Sequence, residues 1–120
     1  MQIASETPPQ VVVIVSTYRR PMELERLFQS LLAGTQPPYA AVVNDDSADT
    51  ATAEVVRKLG IPHEFLVREP APTNTAASGW NRALDVAVQR FGDKATHYLI
   101  IDDDAKVDKD TLAFLSLIHI

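Results

Sequence analysis

The chain has 120 residues, 46% hydrophobic and 22% charged, a make-up suited to one small globular domain that buries about 65% of its unfolded surface. Its 16 acids against 11 bases leave a net charge of −5, which argues against nucleic acid or an anionic membrane as the main partner. The absence of cysteine excludes disulfides and thiolate metal sites and fits a reducing, cytoplasmic location; no signal peptide and no membrane span is visible.

Residues 1–10 are polar and carry Pro8 and Pro9, so they read as a flexible leader. Val11 to Val15 is an unbroken β-branched run, the pattern of a central parallel strand covered on both faces. Ser16 to Arg20 is a loop, and Pro21 suits the first turn of a helix. Leu24, Leu27, Phe28, Leu31 and Leu32 then recur at helical spacing until Gly34 and Pro37-Pro38 end the helix. Tyr39 to Val43 is predicted as a second strand, running into Asn44-Asp45-Asp46-Ser47. Asp49 or Thr50 caps a helix to about Leu59, closed by Gly60. His63 to Val67 is a third strand, Arg68 to Thr75 a loop, Ala76 to Phe91 a helix, and Thr96 to Ile101 a fourth strand. Asp108 or Asp110 begins one more helix. This alternation implies an α/β fold with a doubly wound, mainly parallel sheet.

The fourth strand ends in Asp102-Asp103-Asp104. Two such charges about 4 Å apart repel by roughly 4 kcal/mol at an effective dielectric near 20. A raised pKa, full solvation or a bound cation must relieve that, and a hard divalent ion suits carboxylate oxygens at a strand's end. In an open α/β sheet this is also the edge where ligands bind. Three loops should meet there: 16–20, 44–47 and 102–105. With only 4 glycines and no Gly-rich phosphate loop, a diphosphate would be neutralised by a metal on the acids rather than cradled by backbone N–H groups.

Several segments carry a resemblance. Ser16-Thr17-Tyr18-Arg19-Arg20-Pro21 resembles the [ST]-[YF]-N-R-P loop of family 2 glycosyltransferases, with Arg19 where Asn is usual. Val42 to Thr50 is similar to the family's V-D-D-G-S-T-D-x-T segment, with Asn44 replacing the first Asp and Asp46 the Gly. Asp102-Asp103-Asp104 looks like its Asp-x-Asp motif, and Asn74 to Leu84 is similar to a segment of galactofuranosyltransferase-like members. The resemblance implies the Rossmann-like, nucleotide-sugar-binding half of a GT-A fold over residues 11–114, truncated at the C-terminus. It implies a metal-dependent hexosyltransferase, inverting in mechanism, that uses a nucleotide-diphosphate sugar, UDP-sugar foremost. The acceptor would be a glycan, a lipid-linked sugar or a polysaccharide. Ser16, Thr17 and Tyr18 would line the nucleotide pocket, Asp45 would bond the base, Arg82 would face the diphosphate, and Asp102 and Asp103 would join the donor site. Asp102 and Asp104 would hold Mn2+ or Mg2+, with Asp103 turned away if the strand stays extended. The general base is expected in a second half beyond this chain, so transfer by the chain alone is not expected. A longer protein could sit at the inner face of a membrane. The tail 115–120, Leu-Ser-Leu-Ile-His-Ile, resembles the translated end of a sequencing adapter and is expected to be non-native.

Plainer readings stand beside these. The acids could form a solvated turn, Asp45 and Asp46 an Asx-turn with a helix cap, and Tyr18 a lid over the sheet edge. Arg20 is expected as a surface charge, and Trp80 as core. Two other functions compete. A nucleotidyltransferase would show a Gly-rich basic loop after the first strand. A receiver-type signalling module needs an acid pair there and an Asp after the third strand. Neither pattern is present.

Overall fold

The computed structural model describes residues 9–105. The expected helix after Asp108, most of the leader and the tail 115–120 lie outside the described residues. The elements run β1 (Val11–Thr17), α1 (Pro21–Leu32), β2 (Ala40–Asp45), α2 (Thr50–Arg57), β3 (His63–Val67), α3 (Ala76–Phe91) and β4 (His97–Asp102). Among the described residues all strands are parallel, in a 4-stranded sheet of order β3-β2-β1-β4.

This order follows from burial. Val11 to Val15 has no exposed surface, and only a strand flanked on both edges and both faces can hide such a run. Odd-numbered β1 residues pack with Leu24, Leu27, Phe28 and Leu31 of α1 and Val56 of α2 on one face. Even-numbered Val12 and Ile14 pack with Ala83 and Ala87 of α3 on the other. The sheet is therefore doubly wound. Connections place β2 and β3 to one side of β1, and α3 then carries the chain back to β4 on the other. The strand order reverses between β1 and β4, which leaves a crevice at their C-terminal ends.

Two strands run further than their apolar residues. β1 continues through Ser16 and Thr17, and β2 through Asn44 and Asp45. The register pairs Ser16 with Asn44 and Asp102, and Thr17 with Asp45. Asn44 and Asp45 have no exposed surface, so their side chains need partners inside the protein.

Candidate functional site: a cavity at the strand ends

The crevice opens into a cavity of about 750 Å3. Ser16, Thr17, Tyr18 and Arg20 line it from the end of β1, and Asp102, Asp103 and Asp104 from the end of β4. Asp46 contributes from behind β2. A fourth wall, which the strand pattern did not reveal, comes from Pro70, Ala71, Pro72, Asn74, Thr75 and Ala76, with Trp80 of α3 beside them. Trp80 also packs on the α3-side core, so it is both core and cavity wall.

The three acids divide. β4 ends at Asp102, and a turn follows in which the Ala105 N–H donates to the Asp102 carbonyl (3.1 Å). That turn swings Asp103 inward, to 9% exposure, where its Oδ2 accepts from the Thr17 hydroxyl at 2.8 Å. Burial pushes the Asp103 carboxyl above the ordinary range, despite the Thr17 bond and the Arg20 charge. Asp103 was expected to turn away and yet to serve the donor; it lies at the cavity but is held by Thr17. Asp102 and Asp104 stay exposed. Asp104 accepts from Arg20 at 3.0 Å, so Arg20 is a partner of the acids at the cavity rather than an isolated surface charge. Tyr18 is half exposed, and the Arg19 guanidinium stacks 5.1 Å from its ring centroid.

Neither Asp45 nor Arg82 is among the residues that line the cavity. Asp45 Oδ1 accepts from the Ser47 N–H (2.9 Å) and from the Ser47 hydroxyl, while its buried Oδ2 has no hydrogen-bond partner among the described residues. Arg82 donates to Asn44 Oδ1 at 2.6 Å. Asn44 in turn donates to Ser16 Oγ (3.2 Å) and Asp46 Oδ1 (2.9 Å). An amide both donates and accepts, which a carboxylate at 44 could not do. Burial opposes the charge of Asp46, but bonds from Arg68 and Asn44 and the charges of Arg68 and Arg82 outweigh it and hold its pKa low.

Gly79 permits this arrangement. A Cβ there would stand 2.1 Å from Ser16 Oγ and 2.7 Å from Asn44 Nδ2. Glycine thus lets the first turns of α3 settle directly on the polar ends of β1 and β2. Thr75 and Ser78 close the start of the helix as a capping box.

Does the donor set fit a divalent cation? Among the described residues, no three His, Cys, Asp or Glu side chains converge into a ready-made site. Asp102 and Asp104 nevertheless offer hard oxygen donors on the cavity wall. Mg2+ is commonly held by one or two carboxylates, with substrate phosphates and water completing its shell. The residues suit an ion completed by substrate.

The comparisons agree with this architecture. The family model "Glycosyl transferase family 2" matches residues 12–115. A crystal structure of S. aureus TarS, residues 1–349, superposes with a TM-score of 0.74 at 24% identity, covering 90% of this chain and 31% of that one. This chain thus spans about a third of that structure, and the likeness identifies its fold as the Rossmann-like part of a GT-A glycosyltransferase. No curated protein sequence matches. With most of its length matched by the family model, the chain belongs to glycosyl transferase family 2.

Proposed function

We propose that this stretch binds the nucleotide-diphosphate-sugar donor of a metal-dependent glycosyltransferase, with a UDP-sugar as the donor and a glycan, lipid-linked sugar or polysaccharide as acceptor. The observation that carries this reading is the convergence of Ser16 to Tyr18, Arg20 and Asp102 to Asp104 on one cavity where the strand order reverses. A cavity of about 750 Å3 accommodates a ligand of this size.

The roles follow from what each side chain has free. Asp102 and Asp104 would hold Mg2+ or Mn2+, which when bound supplies Lewis-acid stabilisation of the departing diphosphate. Arg20, already beside Asp104, is the cation placed to meet diphosphate oxygens. The Ser16 hydroxyl and the Tyr18 ring line the nucleoside's path. Thr17 and Asp103 bind each other and fix the acid turn against β1. Asp45 keeps one buried carboxylate oxygen with no hydrogen-bond partner among the described residues, an acceptor that suits a base N–H. A general base and an acceptor pocket would come from other parts of a longer protein.

Trp80 is the chain's single tryptophan and lines the cavity, so its fluorescence reports occupancy. Titration with UDP should give a saturable change that strengthens when Mg2+ is added. Indifference to UDP, or binding that ignores Mg2+, contradicts the reading.

A further inference from the structure

Arg68 follows the last residue of β3, and its guanidinium ties the turn after β2 to the start of α3. Its Nε and one terminal nitrogen (NH2) grip the two oxygens of Asp46, the latter at 3.1 Å. The same terminal nitrogen meets the Thr75 carbonyl (3.2 Å) and Ser78 Oγ (2.8 Å) at the start of α3. Its backbone N–H donates to the Asp45 carbonyl at 3.0 Å. Both side chains are largely buried, with 21% of Arg68 and 10% of Asp46 exposed.

Between the two ends that Arg68 joins lies the segment 69–75. Asn74 donates through its side chain to the Glu69 carbonyl (3.0 Å) and through its backbone to the Ala71 carbonyl (3.0 Å). The segment is thus a compact loop with closed ends, the Ω type. Its residues Pro70, Ala71, Pro72, Asn74 and Thr75 line the same cavity as the acids. They are uncharged and in part apolar, where the acids carry charge. A base and ribose suit the first, and a diphosphate with its cation suits the second.

We propose that Arg68 is a positioning residue: pinned between Asp46 and the Thr75–Ser78 helix start, it sets the 69–75 wall, and through it the grip on the nucleoside end of the ligand, without touching the ligand. This rests on the donor-binding reading above. Arg68 turns Nε and one terminal nitrogen to four protein oxygens and does not line the cavity, so it is not placed to meet the ligand itself. The pairing also accounts for Asp46 where a glycine is usual in the related segment: the carboxylate is the anchor for the arginine. Lysine could not replace it, since one ammonium lacks the planar fork that spans both partners.

The test compares the wild-type chain with Arg68→Met, Arg68→Lys and Asp46→Asn. Amide hydrogen exchange is read first, without ligand. Amides of residues 71–79 should exchange at least about tenfold faster in Arg68→Met, while those of β1 and α1 change by less than about twofold. Affinities for UDP and for inorganic pyrophosphate are then measured, both with Mg2+. UDP should weaken about tenfold and pyrophosphate less than twofold, with Arg68→Lys close to Arg68→Met, and Asp46→Asn between them and wild type. Unchanged exchange in 71–79, a uniform rise across the chain, or equal weakening of UDP and pyrophosphate would overturn the proposal. If Arg68→Met does not fold, Arg68→Lys and Asp46→Asn decide by the same readings. A wild-type chain that binds neither probe sinks the donor reading, and the exchange data alone then decide the role of Arg68 in setting the loop.

Discussion

The two sides of the cavity are built on opposite principles. On the side of β2, β3 and α3, Asn44, Asp46, Arg68, Ser78 and Arg82 are tied into one hydrogen-bonded network that reaches Ser16 of β1. On the side of β1 and β4, one buried bond from Thr17 and one exposed ion pair hold the acid turn, and two carboxylates face solvent. The closed network fixes a shape. The open turn keeps charge available for a ligand. In the donor-binding reading proposed above, the rigid wall would serve selectivity and the free carboxylates would hold the cation that meets the diphosphate.

Substitutions on the two sides should therefore behave differently. The largest effect is expected from Asp46→Ala, which strands Arg68 in a largely buried place. Breaking a buried pair costs about 3–5 kcal/mol, and the partial exposure of Arg68 places this near the low end, about 3 kcal/mol by urea unfolding. Because the Asp46 pKa is depressed in the fold, its contribution is present above the ordinary carboxylate pKa of about 3.9 and is lost as pH falls through the lower folded value. The gap between wild type and variant should stay level from about pH 5 to 8 and close in stronger acid.

Next comes Gly79→Ala. Alanine gains about 1 kcal/mol of helix propensity, but the new methyl collides with Ser16 Oγ at 2.1 Å and Asn44 Nδ2 at 2.7 Å. Overpacking of that kind costs about 1–3 kcal/mol or more, so a net loss of about 2 kcal/mol is expected in thermal or urea unfolding. A gain in stability would show that α3 can lift from the sheet freely.

On the open side the sign reverses. Asp103→Asn keeps an acceptor for Thr17 and removes a charge that burial disfavours. The raised pKa of Asp103 means that its favourable contribution is full below about pH 3.9 and fades as pH rises through the folded value. The variant should melt higher than wild type at pH 7 and together with it near pH 3. The smallest effect concerns the loop rim. Arg19 has φ 55°, a left-handed conformation that asparagine adopts more readily. Arg19→Asn relieves about 1 kcal/mol of strain and forfeits about 0.5 kcal/mol of stacking on Tyr18, for a net gain of about 0.5 kcal/mol by urea unfolding.

The sequence disclosed what depends on repeating pattern. The β-branched run of β1, the leucine spacing of α1 and the proline and glycine stops placed all described elements within a few residues. The meeting of the 16–20, 44–47 and 102–105 loops followed from parallel topology alone. What stayed hidden depends on partners distant in the chain. Asn44 and Asp45 looked like loop because apolar character ends at Val43; their burial is sustained by Arg82 and Ser47. Arg68 and Asp46 lie in separate loops, and no local spacing signals that they meet. The side to which Asp103 turns depends on where β4 stops, since the alternation that would turn it away holds only while the strand stays extended, and β4 ends at Asp102. Arg82 bonds Asn44 across 38 positions of sequence, a contact that no local spacing signals.

A nucleoside diphosphate bound at the β1–β4 edge with a divalent ion on the acid turn makes UDP affinity depend on Mg2+. Calorimetric titration of wild type and Asp102→Asn with UDP, each with and without excess Mg2+, reads that dependence. Mg2+ should strengthen UDP binding by about tenfold or more in wild type, and Asp102→Asn should abolish this gain without lowering the melting temperature. Equal, Mg2+-independent affinities in the two proteins would contradict this mode of binding.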